Sequence, residues 1–75
     1  MAKTIYNPNT AFGGYEYRVT SDGTTVNVQE RKSGSVKFKT KRVLTTSEWH
    51  AIKEENFDSY NNNPAVLSRL ANDKL

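Results

Sequence analysis

Cysteine is absent from the 75 residues, which removes disulfides, thiolate metal sites and a cysteine nucleophile at once. Histidine occurs once, at His50. A hydrolytic triad needs a base beside a serine or threonine, and with no second histidine and no G-x-S-x-G, His50 reads as a surface residue. His50 and Glu54 share a helix face and offer two metal ligands where a structural site takes about four. Glycine is scarce, and Gly13, Gly14, Gly23 and Gly34 all fall at turns. No G-x-x-x-x-G-K cradle for phosphates exists, so nucleotide hydrolysis is excluded. Glu54 and Glu55 are adjacent and point about 100° apart on a helix, which does not suit a pair of acids flanking one bond. No run approaches a membrane span, and the start MAKTIYNPNT carries no apolar targeting core. These absences lead us to expect a soluble, intracellular (cytoplasmic) protein that is not an enzyme and uses no cofactor, metal, membrane or small-molecule substrate.

What is present fits one domain, residues 1–75, with a core of about a dozen apolar side chains. Its charge of +3 conceals two halves of opposite sign. Residues 15–42 hold seven cations (Arg18, Arg31, Lys32, Lys37, Lys39, Lys41, Arg42) against Glu16, Asp22 and Glu30, a surplus of four. Residues 44–75 hold Lys53, Arg69 and Lys74 against Glu48, Glu54, Glu55, Asp58 and Asp73, a deficit of two.

The basic half alternates with the period of half-buried strands. Tyr15, Tyr17 and Val19 interleave with Glu16, Arg18 and Thr20; Val26 and Val28 with Thr25, Asn27 and Gln29; Val36 and Phe38 with Lys37, Lys39 and Lys41. Turn signals at Ser21-Asp22-Gly23 and Lys32-Ser33-Gly34 join them into a three-stranded antiparallel meander over residues 15–42. A two-residue loop at Asp22-Gly23 pairs Val19 with Val26 and Tyr17 with Val28. A three-residue loop from Lys32 to Gly34 pairs Val28 with Phe38 and puts Gly34 where a left-handed residue is needed. Residues 1–14 form an arm in which Lys3 to Tyr6 can add a short fourth strand, with Tyr6 and Phe12 as anchors.

After Arg42 the period changes. Thr45-Thr46-Ser47-Glu48 has the form of a capping box, with Leu44 and Trp49 at the positions of a hydrophobic staple, so a helix begins at Thr46 and ends near Asn56. It carries Trp49 and Ile52 on one side. Phe57, Tyr60 and Asn61-Asn62-Asn63 make a connector. Asn63 caps a second helix with Pro64 at its first position and a stripe of Leu67, Leu70, Ala71 and Leu75. The expected class is α+β, a β-meander packed on one face by two C-terminal helices.

The other face of the meander then carries the rows Glu16, Gln29, Lys37; Arg18, Asn27, Lys39; Thr20, Thr25, Lys41, with Arg31 and Arg42 nearby. Such side chains neutralise phosphates and hydrogen-bond base edges. We therefore expect a small nucleic-acid-binding regulator using Arg18, Asn27, Gln29, Arg31, Lys37, Lys39, Lys41 and Arg42. Duplex DNA is favoured over single strands, because Phe38 and the tyrosines face the core and leave no stacking platform. A solvated sheet face with edge lysines that discourage aggregation has the same composition. The rival function is a protein-interaction module or inhibitor covering a surface of a larger partner. It would use the basic sheet or the acidic helix side, with Tyr6, Phe12 and Tyr60 as candidate anchors.

Overall fold

The computed structural model of the chain describes residues 2–8, 11–57 and 63–74. The elements run β1 (Lys3–Tyr6), β2 (Ala11–Phe12), β3 (Tyr15–Ser21), β4 (Thr25–Lys32), β5 (Lys39–Thr45), α1 (Thr46–Asn56) and α2 (Asn63–Ala71). The strands form one antiparallel sheet in the order β1-β3-β4-β5, and β2 pairs with the same edge of β3 as β1, further along it. Both helices pack on one face of this sheet, giving the α+β class expected. Among the described residues no helix is long and apolar enough to cross a membrane.

Strand alternation sets the core. Tyr17, Val19, Val26 and Val28 are buried from the sheet, and Leu44, Trp49, Val66, Leu67, Leu70 and Ala71 cover them. Tyr6, Trp49 and Phe57 form an aromatic cluster, with centroids 6.2 Å apart for Tyr6 and Trp49, 5.0 Å for Tyr6 and Phe57 and 5.4 Å for Trp49 and Phe57. Such tilted and edge-on contacts suit the ring quadrupoles.

The pairing of β3 with β4 differs from expectation by two residues: Val19 lies opposite Val28, and Ser21 opposite Val26. An even shift keeps each side chain on its expected face. The cause is the turn. The Asp22 carboxylate accepts hydrogen bonds from the backbone N–H groups of Thr24 and Thr25 at 2.9 and 2.8 Å. The Asp22 N–H donates to the Thr25 carbonyl, and Gly23 takes φ +99°. The hairpin thus closes between Asp22 and Thr25, and the bonds from Thr25 and Thr24 hold the Asp22 carboxyl below its usual pKa.

The pairing of β4 with β5 differs more. Val26 lies opposite Leu44 and Val28 opposite Arg42, so the expected contact between Val28 and Phe38 does not form. β5 begins only at Lys39, and residues 33–38 form the loop. Gly34 does take a positive φ, +95°, in a turn closed by Ser35 N–H to the Lys32 carbonyl. The slide follows from Leu44, which must reach the core where the strand runs directly into α1. A bulge after Val28 makes Thr40 the partner of Gln29 and leaves Lys41 as the extra residue. A matching irregularity between Thr4 and Tyr6 leaves Ile5 unpaired in β1. Val36, expected in the core, is 87 % exposed.

Helix α1 starts as its sequence implies. Thr45 Oγ1 accepts from the Glu48 N–H at 3.1 Å, and the Thr45 N–H donates to Glu48 Oε1 at 2.9 Å. Thr45→Ala is expected to lower stability by about 1 kcal/mol, read as a lower urea midpoint at an unchanged slope. Helix α2 opens at Asn63, one residue ahead of the expected start. The capping role expected of Asn63, and the parts expected of Asp58, Tyr60, Asn61, Asn62 and Leu75, lie outside what is described. Its C-terminus closes with Asp73 at φ +62° and with bonds from Lys74 N–H to the Arg69 carbonyl and Asp73 N–H to the Leu70 carbonyl. That pattern satisfies the final carbonyls of the helix.

Candidate nucleic-acid interface

The sheet face away from the helices carries the even-numbered side chains of β3 and their partners. Its rows are Glu16 with Arg31; Arg18 with Gln29 and Thr40; and Thr20 with Asn27 and Val43. Arg31 donates from Nε and Nη2 to Glu16 Oε1 at 2.9 and 2.6 Å. Arg18 Nε donates to Gln29 Oε1 at 2.6 Å, and Gln29 Nε2 passes a bond on to Thr40 Oγ1 at 3.1 Å. Four side chains expected at the interface, Arg18, Asn27, Gln29 and Arg31, therefore share one face. All four are half-buried.

Phe38 joins them there. Its ring centroid lies 4.1 Å from the guanidinium carbon of Arg18 and 4.6 Å from that of Arg31. The expectation that Phe38 faces the core is corrected. The loop after β4 crosses the outer face, and two guanidiniums hold the ring by cation–π attraction, about 0.5 kcal/mol or more each.

The other expected cations do not form rows. Lys37 is exposed within the loop rather than on a strand. Lys39 is exposed and lies opposite Glu30, not beside Arg18. Lys41, at the bulge, turns away from the outer face, with Nζ 3.9 Å from Glu30 Oε1. Arg42 also leaves that face. Its Nη1 lies 3.4 Å from the Leu70 carbonyl and 3.1 Å from Asp73 Oδ1, so it ties β5 to the end of α2. The extra residue in β5 explains the change of side of Lys41 and Lys39, whereas Arg42, two residues from Leu44 and opposite Val28, lies on the helix side by strand parity.

Beside Arg18 the edge of β3 is interrupted. Tyr6 pairs with Val19 and Ala11 with Glu16, so among the described residues Tyr17 and Arg18 have no strand partner on that side. A groove of about 320 Å³ opens there, with Thr4, Asn7 and Ala11 on one wall and Glu16, Arg18, Arg31 and Phe38 on the other.

On the helix side, the tip of the β2–β3 hairpin presents a second feature. Phe12 and Tyr15 lie opposite each other across Gly13 and Gly14, whose φ values are +62° and +83°. They are 46 % and 40 % exposed. Beside them Tyr17 donates its hydroxyl to Glu30 Oε2 at 2.8 Å. Burial first, then the Glu30 carboxylate, raises the Tyr17 pKa. Tyr6, the other aromatic anchor within the described residues, packs against Trp49 and Phe57 instead. Val26 and Leu44 were the residues from which the register near α1 could have been read, but the position of Phe38, beyond the bulge, could not.

Among the described residues no three histidine or acidic side chains gather in a way that would hold a metal ion, and His50 is exposed. Glu54 and Glu55 are exposed on α1. The functional reading therefore rests on the outer face and its groove, since comparison with protein-family models, curated proteins and solved structures yields no match to this chain.

Proposed function

We propose that the protein is a small nucleic-acid-binding regulator that holds a single strand across the outer face of its sheet. The observation that carries this reading is Phe38, an aromatic ring on a polar face with two guanidiniums packed against it. A stacking platform set among cations suits unpaired bases and a phosphate backbone together. Duplex DNA was the expectation while that face lacked an aromatic ring. A ribbon seated in a major groove would use aligned cation rows, and the bulge at Lys41 breaks them. Arg18 has no carboxylate partner among the described residues, and Lys37 stands exposed next to Phe38 in the loop.

Fluorescence anisotropy with oligothymidylate, its RNA counterpart and a duplex of equal length tests the proposal. Two phosphate contacts, at Arg18 and Lys37, imply a slope of log affinity against log salt of about −1.4 for a single strand. The change Lys37→Glu should weaken binding and flatten the slope without unfolding the protein, because Lys37 is exposed in the loop. No binding to any single strand at low salt would sink the proposal. The exposed pair Phe12 and Tyr15 favours the second reading, a protein-interaction module anchored at the hairpin tip. Under that reading Phe12→Ala with Tyr15→Ala abolishes capture of the partner, while Phe38→Ala leaves it intact.

A further inference from the structure

We infer that the groove at the interrupted edge of β3 is a pocket that selects a guanine base from the bound strand, an inference that rests on the single-strand reading above. Its volume, about 320 Å³, lies at the small end of the range for small-molecule sites, roughly 300–1,000 Å³. It opens beside Phe38, so a base leaving the stack there has a place to go. The small side chain of Ala11 lines it, and among the described residues Tyr17 and Arg18 have no strand partner there.

The walls set a carboxylate beside a guanidinium. Arg31 fixes Glu16 through two bonds to Oε1, and Oε2 accepts none from the described residues. Arg18 uses Nε on Gln29, which leaves its two terminal amino groups without hydrogen bonds among the described residues. A carboxylate accepts and a guanidinium donates. Guanine alone among the bases carries two adjacent donors, N1–H and the N2 amino group, on the edge that a carboxylate can take. Its O6 and N7 are acceptors that suit arginine. Adenine and cytosine present one amino donor next to a ring acceptor, and thymine a single N–H between two carbonyls. With Oε1 held by Arg31, the free Oε2 can accept from both guanine donors at once, whereas each of these other bases gives it one donor and sets an acceptor beside it. A site built to pair with particular donors rejects bases that lack them, because its own polar groups are then left unpaired.

The test compares oligothymidylate with the same strand carrying one central guanine, adenine, cytosine, inosine or 7-deazaguanine. One guanine should tighten binding about tenfold or more, the effect of a good bidentate pair. Inosine, which lacks the N2 amino group, should lose most of that gain, and 7-deazaguanine part of it. The readout is the ratio of affinities for the guanine-containing and all-thymine strands. Glu16→Gln should bring that ratio to about one, and so should Ala11→Leu, which fills the groove while keeping Glu16. Equal affinity for all the strands, with normal salt dependence, would overturn the pocket and leave the single-strand reading standing. A guanine preference that survives both substitutions would likewise overturn it. Failure of every strand to bind would overturn both.

Discussion

Trp49→Ala is expected to lower the unfolding free energy by about 3–5 kcal/mol, the cost of removing a large aromatic side chain from a packed core. Trp49 is 4 % exposed and is the one fully buried residue of α1, while Ile52 is only half-buried. The docking of α1 therefore depends mainly on one indole, wedged between Tyr6 and Phe57 and preceded by the buried Leu44. Domains of this size have roughly 4–11 kcal/mol of stability at 0.05–0.15 kcal/mol per residue. The substitution consumes a large share of it. Urea denaturation followed by circular dichroism checks the value. A loss under about 1 kcal/mol would mean that the Tyr6–Phe57 contact, 5.0 Å between centroids, suffices to hold the helix.

Phe38→Ala is expected to weaken oligothymidylate binding by about 5- to 150-fold, corresponding to the 1–3 kcal/mol that one base stacked on an aromatic side chain contributes. Stability should change little. Phe38 lies in the loop before β5, and its contacts are with Arg18 and Arg31 on the outer face. A loss of stability of no more than about 1 kcal/mol, the sum of the two cation–π contacts, would separate a lost platform from a damaged fold. Val36→Ala serves as the control, because Val36 is an exposed apolar residue of the same loop. Unchanged affinity in Phe38→Ala, with the parent binding normally, would place the strand elsewhere on the protein.

Local signals were legible in the sequence. The capping box at Thr45 and Glu48 is complete within four residues and places the start of α1 at Thr46, as found. Alternation in β3 and β4 assigns Tyr17, Val19, Val26 and Val28 to the core, and an even error in register left those faces intact. The third long strand was misplaced for a physical reason. Val36 and Phe38 alternating with lysines have the pattern of a half-buried strand, yet pairing obeyed Leu44, which has to sit under Trp49. Counting backwards from Leu44 opposite Val26 would have recovered the register near α1. The bulge would still have been missed, since one extra residue leaves no mark on periodicity and inverts every face beyond it. For the interface, Arg18, Gln29 and Arg31 were readable from strand parity. The groove was not, because it arises where two short strands fail to meet along β3.

The covering of the sheet also has a temporal side. Val19, Val26 and Val28 are sealed by Val66, Leu67 and Leu70 of α2, which follow them by some forty residues in chain order. At about 5–20 residues per second, a ribosome adds that stretch in roughly 2–8 s. During this interval the newly made hairpin has its valines and no lid for them. Its apolar side is then open to whatever else is nearby, whether a chaperone or another nascent chain. Slow codons between the β-hairpin and α2 would lengthen the exposure without altering a single residue of the finished protein. How long those valines stay uncovered is thus set by how quickly α2 is made and docks.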